Sequence, residues 1–174
     1  MAKVLMVVAQ HGFRDEELMI PQEFLRNAGH EVKIASLVRG KATGMLGAIV
    51  QAEMAAHEVN PDFFDAFVII GGAGSVKLAE SPDVIKLVQS AFSKGKILGA
   101  ICLGPMTLAK AGVLSGRRAT VFSSKEGMNA LKEGKAKIAS SEVVRDGNIV
   151  TACGPEAANE FGKMLVEMLK EHKE

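Results

Sequence analysis

The fold is decided by the stretch Lys96-Ile-Leu-Gly-Ala-Ile-Cys102, followed directly by Leu103-Gly-Pro-Met-Thr-Leu-Ala-Lys-Ala-Gly112. The first part is an apolar run typical of a buried strand, and the second begins a helix with glycine and proline in its first turn. A residue at such a junction lies on a sharp strand-to-helix turn, with a strained backbone and an outward side chain. The thiol of Cys102 would then face the positive end of the helix dipole, which favours the thiolate. The alternative is a buried cysteine that packs as a small hydrophobic side chain.

Strand-like and helix-like segments alternate along nearly the whole chain of 174 residues. Val4–Ala9 is a fully apolar run that predicts a strand covered on both faces, and Asp15–Asn27 predicts the helix that follows it. The other predicted elements are strands over Glu31–Leu37, Asp65–Ile70 and Arg118–Phe122, a hairpin or irregular excursion over Arg39–Val50, a helix over Pro82–Lys94, a hairpin over Glu142–Thr151 and a terminal helix over Pro155–His172. In the helix over Pro82–Lys94, the spacing predicts that Val88 and Phe92 face the core. This alternation predicts an α/β fold with a mostly parallel central sheet, in a single three-layer domain over residues 1–174.

Composition narrows the possible functions. The formal net charge of +1 gives no electrostatic reason to expect binding to nucleic acid, and the chain has no Trp or Tyr on which bases could stack. No segment predicts a membrane partner. The two cysteines, Cys102 and Cys153, are too far apart in sequence for a metal-ligand motif or a disulfide framework. We therefore predict a cytoplasmic protein without a metal or a cofactor.

The residues that could carry chemistry fall where strands end. Ligands of doubly wound sheets bind beyond the carboxyl ends of the strands, and Gly71-Gly72-Ala73-Gly74-Ser75 and Cys102 both lie there. The glycine-rich turn lacks both the Gly-Lys-Ser/Thr ending of a phosphate loop and the third glycine of the dinucleotide fingerprint. Its alternative use is to aim backbone N–H groups at an anionic oxygen beside a nucleophile.

Glu17 is the candidate acid. It lies in the acidic opening of the first helix, Asp15-Glu16-Glu17, where dipole complementarity is the ordinary explanation. A side chain at this point can also lean over the edge of the sheet and meet the thiol of Cys102. The two groups would then share a proton, and a protonated Glu17 donating to sulfur would keep Cys102 ionised.

Several segments together resemble the ThiJ/PfpI superfamily, which includes protein deglycases and archaeal intracellular protease-like proteins. They are, in chain order, Glu17-Leu-Met-Ile-Pro21, Gly71-Gly72, Ala100-Ile-Cys102-Leu-Gly104-Pro105, Ala111-Gly112-Val113-Leu114-Ser115-Gly116-Arg117, Asp146-Gly147-Asn148-Ile149-Val150-Thr151 and Gly154-Pro155. The resemblance implies a flavodoxin-like sandwich, a Cys102 nucleophile, Glu17 as its protonated partner, and oxyanion donors at the backbone of Gly72 and Leu103. It also implies a homo-oligomer, either a dimer or a larger ring.

The chain departs from this family where a base is expected. Leu103 stands where the protease-like branch has His, Val76 stands where that branch has Glu, and Val121-Phe122-Ser123 lacks the His of the deglycase branch. Acyl transfer to an amide leaving group needs a general acid, so these departures disfavour a peptidase. His11 is the nearest candidate substitute, although an exposed loop histidine is the ordinary interpretation.

Cys153 has two possible roles. It follows a strand end, so it could be a resolving thiol that pairs with oxidised Cys102. The favoured alternative is a cysteine packed in apolar surroundings or at a subunit contact.

Two functions of different classes follow from these residues. The first is a cysteine-dependent enzyme of the glyoxalase or deglycase type, acting on small reactive carbonyls such as methylglyoxal. The second is an oxidation-sensing, stress-protective or chaperone-like protein without turnover, because an acid-supported thiolate is readily oxidised to the sulfinic acid. A peptidase, an amidotransferase-like domain and a binding-only domain are weaker alternatives.

Overall fold

A seven-stranded sheet forms the centre of the computed structural model, which describes residues 1–172. In spatial order its strands are β11 (Val143–Asp146), β12 (Ile149–Ala152), β8 (Ile97–Ile101), β7 (Ala66–Ile69), β1 (Lys3–Val7), β3 (Glu31–Ser36) and β6 (Met54–Ala55). Every neighbouring pair is parallel except β11 and β12, which form an antiparallel hairpin. The predicted α/β class with a mostly parallel sheet is therefore confirmed. The predicted domain ends at residue 174, and its last two residues lie outside the described ones.

Helices cover both faces of this sheet. The helices are α1 (Asp15–Asn27), α2 (Val76–Ala79), α3 (Pro82–Ser93), α4 (Pro105–Lys110), α5 (Lys125–Glu133) and α6 (Ala158–His172). Strand β1 shows why its sequence is apolar throughout: Val4 and Met6 pack in one buried cluster with Phe161 of α6, while Leu5 packs on the opposite face with Val88 of α3. Two separate apolar layers, each between the sheet and its helices, make up the core.

Smaller sheets flank the central one. The segment Arg39–Val50, predicted as a hairpin or an irregular excursion, belongs to a hairpin of β4 (Gly40–Gly44) and β5 (Ile49–Ala52). Strand β2 (His11–Phe13) pairs with β4. The strand predicted over Arg118–Phe122 is shorter, at β9 (Arg118–Ala119), and it pairs with β10 (Lys137–Ile138) instead of joining the central sheet. The segment predicted as the terminal helix begins with a 3₁₀ turn over Pro155–Ala157 before α6.

Helix α3 is capped by Ser81, whose hydroxyl accepts from the N–H of Val84 at 3.3 Å. The predicted burial of Phe92 is wrong: its side chain is 38 % exposed, and the inward positions of this part of the helix are Leu87 and Ala91. The phenyl ring instead lies under the guanidinium of Arg117, 5.2 Å from ring centroid to Cζ.

No helix within residues 1–172 is both long and apolar enough to span a bilayer.

Candidate active site

Cys102 lies on a strained turn between β8 and α4. Its φ of 63° is in the left-handed region, where a residue with a side chain is seldom found. The backbone of this turn is fixed from both sides, because the Cys102 N–H donates to the carbonyl of Ala152 at 2.8 Å and its carbonyl accepts from the N–H of Phe122 at 2.8 Å. The sequence predicted this turn but also predicted an outward thiol, and there it is wrong: Cys102 is only 7 % exposed.

Cys102 belongs to the same buried apolar cluster as Met6 and Phe161, but two polar groups reach its sulfur. The backbone N–H groups of Gly72 and Leu103 act on it as hydrogen-bond donors, and both lower the pKa of the thiol. These two residues come from different strand ends, Gly72 after β7 and Leu103 after β8. The predicted convergence of the glycine-rich turn and the cysteine at one edge of the sheet is what the structure shows.

Gly71 brings the thiol and the carboxyl of Glu17 side by side. Its N–H donates to Oε1 of Glu17 at 3.0 Å. A Cβ added at Gly71 would lie 2.6 Å from Cβ of Cys102 and 2.6 Å from Oε1 of Glu17, so those two atoms are separated by no more than twice that distance. Any side chain at position 71 would therefore separate the pair.

The three acidic residues at the start of α1 have three different partners. Asp15 is buried, and its carboxylate accepts from the N–H groups of Leu46 at 3.0 Å and Ala48 at 2.8 Å, which fixes the tip of the β4–β5 hairpin. Glu16 pairs with the guanidinium of Arg14 at 2.8 Å. Glu17 alone is completely buried and directed at the cysteine. Interaction with the helix dipole, the ordinary explanation for acidic residues at the start of a helix, does not account for the contacts of Glu17.

Burial dominates the electrostatics of the pair. It raises the pKa of Glu17 to about 7, against smaller lowering effects from hydrogen bonding with the Cys102 thiol and the Gly71 N–H. Burial, and then the charge of Glu17, raise the pKa of the Cys102 thiol to about 12. The pKa of the thiol is therefore raised, opposite to the lowering predicted from the helix dipole, and α4 is only six residues long. Because the two groups are adjacent they titrate as a pair, losing one proton near neutral pH and the second far above it.

One detail of Glu17 bears on where the remaining proton lies. Its second oxygen, Oε2, is buried with no conventional hydrogen-bond donor within the described residues. The side chain that forms a hydrogen bond with this carboxyl is that of Cys102. A protonated Oε2 facing sulfur would satisfy both groups, because an unpaired buried carboxylate oxygen is costly.

No histidine takes the place of the missing base. His11 lies in β2 with its side chain exposed, and it is not among the groups that shift the pKa of Cys102 or Glu17 most. Leu103 is half-buried beside the cysteine, and Phe122 projects a side chain that is 42 % exposed. The structure thus assembles a thiol, a carboxyl and two N–H donors. Within residues 1–172 no cluster of three or more His, Cys, Asp or Glu could hold a metal ion.

Cys153 and Cys102 each follow the end of a strand, and the residues before them, Ala152 and Ile101, are paired across β12 and β8. Its half-buried thiol donates to Oε1 of Glu156 at 3.5 Å and lines a separate cavity. The role of Cys153 as a resolving thiol stays a prediction.

Arg14 was missed by the sequence analysis. Its backbone N–H donates to the carbonyl of Gly71 at 2.9 Å, and its guanidinium lowers the pKa of Glu17. An arginine directly before three acidic residues is typical of a charge pair on the surface, so the local sequence does not indicate that Arg14 contributes to the site.

A doubly wound sheet with a cysteine on the strand-to-helix turn and an acid from the first helix defines a class of α/β proteins. The model of the DJ-1/PfpI family matches residues 2–168, and the chain belongs to this family. The resemblance inferred from sequence is thereby confirmed.

Its relatives include proteins with named activities. The chain is 40 % identical over 174 residues to an uncharacterized protein of Methanocaldococcus jannaschii, covering 99 % of this chain and 85 % of that one. It is 38 % identical over 168 residues to a deglycase of Pyrococcus horikoshii (97 % and 99 % covered), and 30 % identical over 154 residues to a glutathione-independent glyoxalase of Caenorhabditis elegans (88 % and 81 % covered). Among solved structures, a ThiJ/PfpI domain protein of Brachyspira murdochii matches with a TM-score of 0.94 at 31 % identity, covering 97 % and 96 % of the two chains.

Proposed function

We propose that the protein is a cysteine-dependent enzyme on small reactive carbonyls, of the glyoxalase or deglycase type. The observation that carries this proposal is the buried pair of Cys102 and Glu17 beneath the N–H groups of Gly72 and Leu103. The names of the relatives, deglycase and glyoxalase, support the same class of substrate.

The chemistry begins with the proton that the pair shares. We place the shared proton on the carboxyl and the negative charge on sulfur, because two N–H donors act on the sulfur and one acts on Glu17, even though burial and the charge of Glu17 raise the pKa of the thiol above that of the carboxyl. The thiolate attacks the aldehyde carbon of methylglyoxal, forming the C–S bond while the carbonyl π electrons move to oxygen. The N–H groups of Gly72 and Leu103 stabilise this alkoxide, and Glu17 donates its proton to it.

The resulting hemithioacetal needs only one acid–base group to react further. Glu17, now a carboxylate, removes the proton from the carbon bonded to sulfur. The hydroxyl proton on that carbon passes to the neighbouring carbonyl oxygen, and the protonated carboxyl returns a proton to the neighbouring carbon. The product is a thioester of a 2-hydroxy acid, formed without net oxidation. Water then releases the 2-hydroxy acid and restores the thiol of Cys102.

Burial of the thiol favours a small substrate over a peptide. With Cys102 only 7 % exposed, an aldehyde of a few atoms can reach the sulfur, while a folded or extended peptide backbone cannot without a local opening. The absence of a histidine among the groups acting on the thiol also disfavours amide hydrolysis, which needs a general acid for the amine.

The experiment is the consumption of methylglyoxal by purified protein, followed by loss of dicarbonyl and appearance of the 2-hydroxy acid. We expect turnover that is abolished in Cys102→Ala and kept in Cys153→Ser, the matched control for loss of a thiol. Equal rates for the wild type and Cys102→Ala would refute the proposal.

A second function, oxidation sensing without turnover, is favoured by the same donors. The N–H groups of Gly72 and Leu103, with a protonated Glu17, could hydrogen-bond the oxygens of a sulfinic acid on Cys102. Mass spectrometry after mild peroxide treatment separates the cases. Two oxygens added at Cys102 alone support a sensor, whereas an unmodified protein contradicts it.

We also propose that the protein forms a homo-oligomer in a reducing, cytoplasmic compartment. Exposed apolar side chains lie on the hairpin tip that Asp15 fixes and on the helix that carries Glu17. They are Met19, Met45, Leu46 and Ile49. Sedimentation of the wild type against Leu46→Glu tests this, because a contact through the hairpin tip is lost in the variant and a monomeric wild type contradicts it.

A further inference from the structure

A cavity of about 380 Å³ lies next to the turn that carries Cys102 and has no part in the mechanism above. One of its walls is formed by residues 120–123, and Phe122 in that wall donates its N–H to the carbonyl of Cys102 at 2.8 Å. Its volume is within the range of sites for small ligands. The cavity is therefore large enough for a side chain or small molecule held close to the reactive thiol.

One end of the cavity is negatively charged. The carboxylate of Glu156 folds back over Gly154, where a Cβ would lie 2.9 Å from Oε2, and it accepts from the thiol of Cys153. After burial, the hydrogen bond to Glu156 and then the charges of Glu156 and Glu142 raise the pKa of that thiol to about 11. None of the lining residues, all within the described chain, is Lys, Arg or His. A carboxylate at a cavity without a cation favours a cationic ligand.

The remaining walls select the kind of cation. Phe122 presents an exposed phenyl ring, Met128 and Ile138 are apolar, and Ser123 and Ser140 supply hydroxyl groups. A guanidinium can stack on an aromatic ring while it forms two parallel hydrogen bonds with a carboxylate. An ammonium, a compact and strongly hydrated charge, uses such a ring less well.

We propose that this cavity is a binding site for an alkylguanidine, such as an arginine side chain. Its guanidinium pairs with Glu156 and stacks on Phe122, while its methylene groups contact Met128 and Ile138. Binding itself requires no chemistry at Cys102.

Cys153 provides the test. The chain contains two cysteines, so in Cys102→Ala the thiol of Cys153 is the only one, and its alkylation by N-ethylmaleimide reports whether the cavity is occupied. The probe is Nα-acetyl-arginine N-methylamide, and the matched neutral control is the norleucine analogue at equal ionic strength. We expect the arginine probe to slow alkylation at least about threefold near saturation and the norleucine probe to have little effect.

Two variants locate the effect. Glu156→Gln should raise the concentration for half-maximal protection about tenfold, because a charge-assisted pair becomes a neutral contact. Glu160→Gln makes the same charge change on the exposed start of α6, outside the cavity, and should leave protection unchanged. Protection is compared as the ratio with and without probe, so a changed reactivity of Cys153 itself cancels.

Three results would overturn the proposal: no protection by the arginine probe, equal protection by norleucine, or equal effects of the two glutamine variants. All of them are obtained without the Cys102 thiol, so they are independent of whether the protein consumes methylglyoxal.

Discussion

Replacing Glu17 with leucine distinguishes the two ways in which the buried pair can hold its single proton near neutral pH. If Glu17 is the protonated partner, it donates to the thiolate, and leucine removes one of three donors while Gly72 and Leu103 remain. If Glu17 is instead the charged partner, its charge raises the pKa of Cys102, and leucine relieves that effect. The two arrangements predict opposite shifts of the thiol pKa.

The proposed mechanism predicts an upward shift. A hydrogen bond to a charged group contributes about 1.5–3 kcal/mol, and one pKa unit corresponds to about 1.4 kcal/mol, so the pKa of Cys102 should rise by about 1–2 units. The pair in the wild type loses its first proton in the range of the Glu17 pKa, about 7. If that proton leaves the thiol, as the mechanism requires, the thiolate fraction at pH 7 falls from about half to between about 1 % and 10 % in Glu17→Leu, which slows alkylation about 5- to 50-fold. If it leaves the carboxyl, Cys102 of the wild type keeps its proton at pH 7 and the variant reacts faster.

The assay is the pH dependence of iodoacetamide alkylation in a Cys153→Ser background, so that only Cys102 reports. Glu23→Gln, an exposed change on the same helix, controls for charge. A faster reaction or a lower apparent pKa in Glu17→Leu would show that the carboxyl holds the charge, and the thiolate mechanism would have to be abandoned.

Three further predictions concern stability. Because the pKa of Glu17 is raised from 4.5 to about 7 on folding, Glu17→Gln should match the wild type below pH 4.5 and become the more stable protein by up to about 3 kcal/mol as pH rises to 7, which urea unfolding at several pH values measures. Cys102→Gly should be about 1 kcal/mol more stable than Cys102→Ala, because only glycine adopts a φ of 63° without strain; equal thermal midpoints would contradict a strained turn. Asp15→Ala should cost about 2–4 kcal/mol and increase amide hydrogen exchange at Leu46 and Ala48, whose N–H groups lose their acceptor; unchanged exchange there would show that Asp15 does not fix the hairpin tip.

Local patterns predicted the elements well. The bounds of α1, Asp15–Asn27, agree at both ends because acidic residues open the helix and Gly29 follows its end. The β11–β12 hairpin follows from its Asp146-Gly147 turn. Phe92 shows the limit of such patterns, because helical spacing cannot tell that a guanidinium from another segment, here Arg117, covers a ring at the edge of the apolar stripe.

The sequence predicted part of the arrangement at the candidate site. Strand ends predicted that Cys102, the glycine-rich turn and Glu17 could meet at one edge of the sheet, because parallel strands end at one edge. The roles of Gly72 and Leu103 as N–H donors came from the resemblance to the family, and the catalytic roles of all four residues stay predictions. Four features could not be predicted from sequence, because they depend on contacts between segments far apart in the chain. They are the burial of the thiol, the effect of Arg14 on Glu17, the partners of Asp15 and the cavity at Cys153.

The sequence by itself determined the order of strands and helices and the turn that carries Cys102, since periodicity and turn chemistry are local properties of the chain. Only the tertiary structure decided the protonation of Cys102 and Glu17. Whether a carboxyl keeps its proton near pH 7 depends on how completely water is removed from it and on which N–H groups remain within reach. Those conditions are met at Glu17 because Gly71, more than fifty residues away, leaves room for the carboxyl and the thiol to meet.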